Sequence, residues 1–335
     1  MGDLFRQLID TYRCVSIIGM CKNAGKTTAL NRIIRESARA GKGLALTSIG
    51  RDGEDQDLVT GTKKPGIYIP EGTLIATASD LVVRHCDVTR EILDTTGIFT
   101  PMGEVVIFRA RSGGNVQLAG PSMTSQLAFV REDFFRLGAD LVLIDGALSR
   151  KSLCSRQVTE ATILCTGASY HKNLQTVVED TAYQCRILTL PEATDDRLLP
   201  LADTDSRENL LLTESQVLPV TGSLEEALRK NKAEAVFFGG ALTDHLVKPL
   251  ILSAAPLQGV RLVVRDASKI LLKPDSFEKL QRRGVELQVL RSVNLAAVTV
   301  NPFSAYGFHF DAGRLLEEMR SRIDLPVIDV MEDSL

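Results

Sequence analysis

The sequence predicts an α/β protein built on a mostly parallel sheet, followed along the chain by a second, smaller α/β domain. Three observations carry this. An apolar, β-branched run at 14–18 ends in a glycine- and lysine-rich turn, and helical spacing follows at once. Strand and helix signals then alternate toward the C-terminus. The 335 residues also exceed what one hydrophobic core usually needs.

The elements follow in order. Residues 4–12 have the spacing of a short amphipathic helix, and 14–18 that of a buried strand. Leu30, Ile33, Ile34 and Ala38 mark a helix over 27–40, with Gly41 and Gly43 at its C-cap region. The next strand is 44–49, closing a strand–helix–strand unit. Short strands are expected at 67–69 and 73–76, a helix start at 79–83, a strand at 105–109 and a bend at 112–114. A helix over 122–137 leads to a strand at 140–145 that ends in Asp. The strands 163–165 and 186–190, joined by a helix at 171–184, complete a first domain over 1–190.

Residues 191–221 are rich in Asp, Thr, Pro and Ser and read as a connecting segment, although 209–212 and 216–220 could add strands. Ser223-Leu-Glu-Glu226 is a capping box. Beyond it, strands are expected at 235–238, 260–264, 285–290, 296–300 and 326–330, with helices at 244–253, 275–283 and 311–322. That defines a smaller domain over 222–335, a candidate for partner or effector binding. Gly239-Gly-Ala-Leu-Thr243-Asp244, Asp266, Ser268 and Asn301-Pro302 all follow strands there, where either a ligand crevice or helix caps would use them.

Composition excludes several classes. The hydrophobic fraction is 44% and the charged fraction 24%, ordinary for a soluble globular chain. A net charge of −3 gives no global pull toward nucleic acid or an anionic membrane. No apolar run approaches the roughly 18 residues of a membrane span. The first ten residues have neither the basic start nor the apolar stretch of a signal peptide, and Arg6 stands where a myristoylation motif wants Ser or Thr. A cytoplasmic protein is expected. The six cysteines have no CxxC spacing and read as reduced thiols, mostly small core residues, and His85-Cys86 is an isolated pair.

The chemistry concentrates in Gly19-Met-Cys-Lys22-Asn23-Ala24-Gly25-Lys26-Thr27-Thr28. A phosphate cradle needs backbone N–H groups turned inward, hence glycine where the chain bends tightly or approaches an oxygen. Lys26 would reach the β/γ phosphates and the Thr27 hydroxyl would ligate Mg²⁺, so the site is expected to bind Mg²⁺ and ATP. The common phosphate-loop motif has four residues between its glycines; here there are five, and Met20 takes the place of the first glycine.

That G-x5-G-K-T spacing resembles dethiobiotin synthetase and its relatives in the SIMIBI class of P-loop NTPases. The resemblance implies a P-loop, SIMIBI-like sheet whose Mg²⁺ site is completed by two acids. Asp145, in Leu141-Val-Leu-Ile-Asp145-Gly146-Ala147, fits the strand-terminal one. Asp52 fits the earlier loop, with Glu54, Asp55 and Asp57 competing for the role. Lys22 is either a second phosphate lysine acting across a homodimer, as in some SIMIBI ATPases, or an exposed lysine. The KNAGKTT spacing is closer to the molybdopterin-guanine-dinucleotide adapter proteins. The Asn/Thr-Lys-x-Asp guanine motif of SIMIBI GTPases has no match, which favours ATP. Ligase chemistry fits less well, because Thr47-Ser-Ile-Gly-Arg-Asp52 lacks the Lys-Pro segment of the synthetases.

Three further stretches, Leu46-Thr-Ser-Ile-Gly-Arg-Asp-Gly-Glu54, Gly61-Thr-Lys-Lys-Pro65 and Leu118-Ala-Gly-Pro-Ser122, together with Ile144-Asp-Gly-Ala-Leu148, resemble the P-loop subunit of bacterial lysine 5,6-aminomutase reactivases. The resemblance implies an ATPase acting with a second reactivase subunit on an adenosylcobalamin-dependent aminomutase to release damaged cofactor. Segment 50–66 would be its switch loop. The alternatives are an ATP-dependent ligase and a nucleotide-binding adapter that delivers a cofactor or metal.

Overall fold

The computed structural model describes residues 4–50, 66–146, 158–204, 206–253 and 257–331. The chain forms two compact units, Met1–Ala182 with Asn294–Leu335, and Tyr183–Val293. In chain order the first stretch holds α1 (Leu4–Thr11), β1 (Cys14–Gly19), α2 (Lys26–Arg39), β2 (Leu44–Ser48), β3 (Ile67–Ile69), β4 (Leu74–Ala78) and α3 (Ser79–Arg84). The hairpin β5 (Arg90–Thr100) and β6 (Gly103–Ala110) follows, then β7 (Gly114–Val116), α4 (Thr124–Arg136), β8 (Leu141–Asp145), β9 (Ala161–Gly167) and α5 (Leu174–Leu188).

The second unit continues with a 3-10 turn at Leu199–Asp203, β10 (Leu210–Leu212), β11 (Val217–Pro219), α6 (Leu224–Asn231), β12 (Ala235–Phe238) and β13 (Leu242–Thr243). It then adds α7 (Asp244–Leu252), β14 (Arg261–Asp266), β15 (Ile270–Leu271), α8 (Pro274–Arg282) and β16 (Glu286–Arg291). The chain returns to the first unit with β17 (Leu295–Asn301), α9 (Ala312–Arg320) and β18 (Val327–Asp329).

The first unit is organised by a nine-stranded sheet in the order β18-β17-β9-β1-β8-β2-β4-β6-β5. The strands from β18 to β4 run parallel, and β6 and β5 are antiparallel additions at one edge. Every residue of β1, β2, β8 and β9 is buried, as expected for central parallel strands covered on both faces. Phe5, Ile17, Leu30, Ile33, Leu46, Phe108 and Leu143 are among the core side chains on one face. The second unit has its own sheet, ordered β11-β10-β12-β14-β16, with β12, β14 and β16 parallel. Its α6 starts on the expected capping box, where Ser223 Oγ accepts from the Glu226 N–H at 3.2 Å.

The α/β expectation holds, and four details differ. The sequence pattern places 294–335 in the second domain, yet β17 pairs in parallel with β9, matching Thr299 to Cys165 and Asn301 to Gly167. Five of the seven residues of β17 are buried, as suits a strand with a neighbour on each side, and β9 and β18 supply them. The segment 191–221 is more than a connection: the strands expected at 209–212 and 216–220 form as β10 and β11, and β10 also pairs with β12 in the second unit's sheet. The strand expected at 186–190 is instead largely the end of α5. Val177, Val178, Thr181, Cys185 and Leu188 are buried at helical spacing. The eleven-residue β5 was not foreseen, since an edge strand exposed along most of its length carries no apolar alternation.

No described helix is long and apolar enough to cross a membrane.

Candidate functional site

Strand β1 lies between β8 and β9, so its C-terminal loop emerges at the centre of the sheet. The registers Ile17 to Asp145 and Gly19 to Cys165 bring the three strand ends side by side, each staggered by two residues from β8 to β1 to β9. Chain connections leave β1 toward β2 on one side and β9 toward β17 on the other. The reversal makes the carboxyl ends of β1 and β9 a topological switch point, the favoured ligand crevice of such sheets.

The loop is held in a tight path. Met20 N–H donates to the Cys165 carbonyl at 2.8 Å as the chain leaves the sheet. Asn23 and Gly25 have φ of 61° and 93°, the left-handed region, before α2 begins at Lys26. The first turn of an α-helix has no intrahelical acceptors for its N–H groups, which makes this end of α2 attractive to anions. Ala24 and Gly25 are buried; Lys26, Thr27 and Thr28 are half-buried, and Lys22 is exposed.

Lys26 folds back over the strand end. Its stem crosses Gly19 so closely that a Cβ there would lie 2.9 Å from Lys26 Cγ. Its Nζ donates to the Gly146 carbonyl at 3.0 Å. Gly146 follows Asp145, the buried last residue of β8, so the lysine ammonium and this carboxylate belong to neighbouring strand ends. Gly146 N–H bonds the Ile17 carbonyl and Ile49 N–H bonds the Asp145 carbonyl, fixing the β8 end between β1 and β2. The Leu118-Ala-Gly-Pro-Ser122 stretch closes over β2 and β4. Gly120 N–H donates to Ser48 Oγ at 3.0 Å, and Gly50 N–H to the Pro121 carbonyl at 2.8 Å.

Of the residues expected at the site, Gly19, Lys22, Asn23, Ala24, Gly25, Lys26, Thr27 and Thr28 form one loop, and Asp145 ends the adjacent strand. Asp52, with the competing Glu54, Asp55 and Asp57, lies outside the described residues, as do Ala147 and most of segment 50–66. Among the described residues, no group of three or more His, Cys, Asp or Glu could hold a metal ion. Thr27 and Asp145 are nonetheless hard oxygen donors of the type Mg²⁺ takes alongside phosphate oxygens and water.

Sequence reasoning missed one feature. A cavity of about 370 Å³ is lined by Ala168, Ser169, Tyr170, His171, Lys172, Tyr306 and Phe308. One wall follows β9. The other is a hairpin after β17, closed by Ser304 N–H to the Phe308 carbonyl at 2.9 Å and by Phe303 paired with His309. Ala305 N–H donates to Ser169 Oγ at 3.1 Å, tying the two walls. Tyr170 donates to Asp180 at 2.9 Å, and burial first, then Asp180, pushes its phenol up to about 12. The walls are more than 130 residues apart in sequence, and no motif links them.

The other candidates have structural explanations. Burial pushes Cys14, Cys165 and Cys185 up to about 12 and Cys21 up to about 11, so these thiols stay protonated. In the second unit Asp266 accepts from the Ser268 N–H at 2.8 Å as a turn cap. Asp244 accepts from the Lys273 N–H at 3.1 Å. Asn301-Pro302, expected beside them, belongs to the first unit. No protein-family model matches the chain, and no curated protein matches it.

Proposed function

We propose that loop 19–28 is a P-loop of SIMIBI type that binds ATP with Mg²⁺, and that the chain is an ATPase. Its role in this reading is as a subunit of a reactivating factor for an adenosylcobalamin-dependent aminomutase, alongside a second reactivase subunit. The observation that carries the nucleotide reading is Lys26, whose side chain runs from the start of α2 across Gly19 to the end of β8. A phosphate chain laid in the loop would meet that ammonium and the N-terminus of α2 together.

In this reading Lys26 clamps the β/γ phosphate oxygens, and the Thr27 hydroxyl and Asp145 carboxylate hold Mg²⁺. Mg²⁺ bound there would supply neutralisation of the charge on the transferring phosphoryl group. Asp145 and Asp52 would help place the metal or the attacking water; as the water oxygen bonds to the γ phosphorus, the bridging oxygen would leave with its electron pair in ADP and the water proton would pass to a phosphate oxygen. The aminomutase role rests on the resemblance of the stretches at 46–54, 61–65, 118–122 and 144–148.

Calorimetry with ATP and Mg²⁺ on the wild type and Lys26→Ala tests the core reading, and equal affinities would overturn it. For the wider role, ATP turnover should rise when aminomutase carrying inactive cobalamin is added. Turnover indifferent to that protein, but raised by a small amine or acid, would replace the reactivase reading with a ligase.

A further inference from the structure

We propose that Ile49 is a positioning residue for the phosphate site, fixing the end of β8 and with it the resting place of Lys26 and the Asp145 carboxylate. This rests on the phosphate-loop reading and adds to it a side chain that acts only through its neighbours.

Lys26 Nζ rests on the carbonyl of Gly146, and a glycine has no side chain to hold its own conformation. What limits Gly146 is the packing on its α-carbon. A Cβ there would lie 2.9 Å from Ile49 Cδ1 and 3.8 Å from Ile18 Cγ2, so those two side chains fill the room a larger residue would need. Ile49 is fully buried, and its N–H donates to the Asp145 carbonyl at 2.8 Å. One residue thus grips the Asp145–Gly146 peptide by its carbonyl and by the α-carbon beyond it. Ile18 lies within β1, held by a strand on each side, whereas Ile49 lies one residue beyond β2 and needs other support.

That support comes from the 118–122 crossing. Ser48 Oγ accepts from the Gly120 N–H at 3.0 Å and donates to the Gly50 carbonyl at 2.7 Å, and the Gly50 N–H donates to the Pro121 carbonyl at 2.8 Å. Ser48 and Gly50, on either side of Ile49, are both bonded to the crossing. The crossing is itself fastened to β4: the Ala119 N–H donates to Thr77 Oγ1 at 2.8 Å, and the Ala78 N–H to the Ala119 carbonyl at 3.0 Å. It lies so close to β2 that a Cβ on Gly120 would be 2.1 Å from the Ser48 carbonyl oxygen. Ile49 has no polar side-chain role, yet its backbone is framed on both sides. Such a frame suits the placement of a neighbouring group, since a small displacement of a reacting group can cost about 100-fold in rate.

The test compares Ile49→Ala, Ile49→Val, Leu46→Ala and Lys26→Ala with the wild type. Leu46, buried on β2 three residues earlier, controls for lost core volume. In the nucleotide-free protein, hydrogen exchange at the Gly146 amide should quicken about tenfold in Ile49→Ala and not in Leu46→Ala. ATP turnover should fall about tenfold in Ile49→Ala, with ATP affinity within about threefold of the wild type, because the displaced groups count most in the transition state. Ile49→Val should give the same changes at about threefold, and it decides the matter if Ile49→Ala does not fold. Exchange and turnover in Ile49→Ala that match Leu46→Ala would overturn the proposal. So would faster exchange with unchanged turnover, or an Ile49→Val indistinguishable from the wild type. Failure of the phosphate-loop reading has a separate signature: ATP affinity indifferent to Lys26→Ala. The exchange measurement alone then decides whether Ile49 fixes Gly146.

Discussion

The loops after β1 and β12 begin alike and end differently. Each follows the first parallel strand of its sheet, and each opens on glycine, Gly19 in one and Gly239-Gly240 in the other. Above β1 the space is crossed by a side chain, Lys26, which returns to the Gly146 carbonyl. Above β12 it is filled by the unit's own backbone: a Cβ on Gly239 would lie 2.4 Å from the Glu208 carbonyl oxygen. Arg265 fastens that arrangement, donating to the Gly239 and Ser206 carbonyls and to the Leu201 carbonyl at 3.2 Å. Its guanidinium also lies over the Phe237 ring, 5.5 Å from the centroid. Glycine after a parallel strand therefore has two uses. It can let a phosphate chain approach the backbone, or let another part of the same chain do so, and only the neighbours decide which.

This contrast can be broken most forcefully at Lys26. Lys26→Ala should lower ATP affinity by roughly 10–100-fold, the equivalent of one charge-assisted contact of about 1.5–3 kcal/mol, with little change in melting temperature. Calorimetry on the wild type should also find a single nucleotide site. Binding of a second nucleotide, surviving in Lys26→Ala, would show that the β12 loop is a ligand site as well. Next in size is Gly239→Ala, which has to displace backbone and should destabilise the second unit by about 1–3 kcal/mol in a denaturant titration. Nucleotide affinity should be unchanged by it.

A smaller effect tests the electrostatics of the second unit. Asp195 is held down to about 2 by its hydrogen bonds to Arg197, the side-chain pair foremost, against burial. Because this folded-state value lies below the ordinary one of 3.8, the stabilisation is complete above about pH 4. It is lost as pH falls toward 2. Arg197→Met should lower stability at pH 7 and flatten the acid limb between pH 4 and 2, read by circular dichroism. Last, Gly240→Ala meets nothing within 4 Å and should change stability by no more than about 0.5 kcal/mol. A large loss there would mean the glycine pair, rather than Gly239 alone, is needed for the close approach.

Local grammar was legible in the residues alone. A buried run ending in Gly19 and the Lys26-Thr-Thr start of a helix were readable because strand, turn and helix each have a short-range pattern. The Asp145 position was readable too, since a fully apolar strand ending in an acid is a local signal. That residues 295–301 sit beside β9 emerges only from the folded sheet. Any buried parallel strand has nearly the same apolar pattern, and its pattern does not name its neighbour. The same holds for β5, whose exposed edge has no periodicity to read, and for Gly239, whose partner carbonyl comes from thirty-one residues earlier. It holds most of all for the cavity. Tyr170 and Tyr306 line one cavity because β9 and β17 are paired, and strand pairing is set by burial summed over the whole sheet, not by any stretch of sequence around either tyrosine.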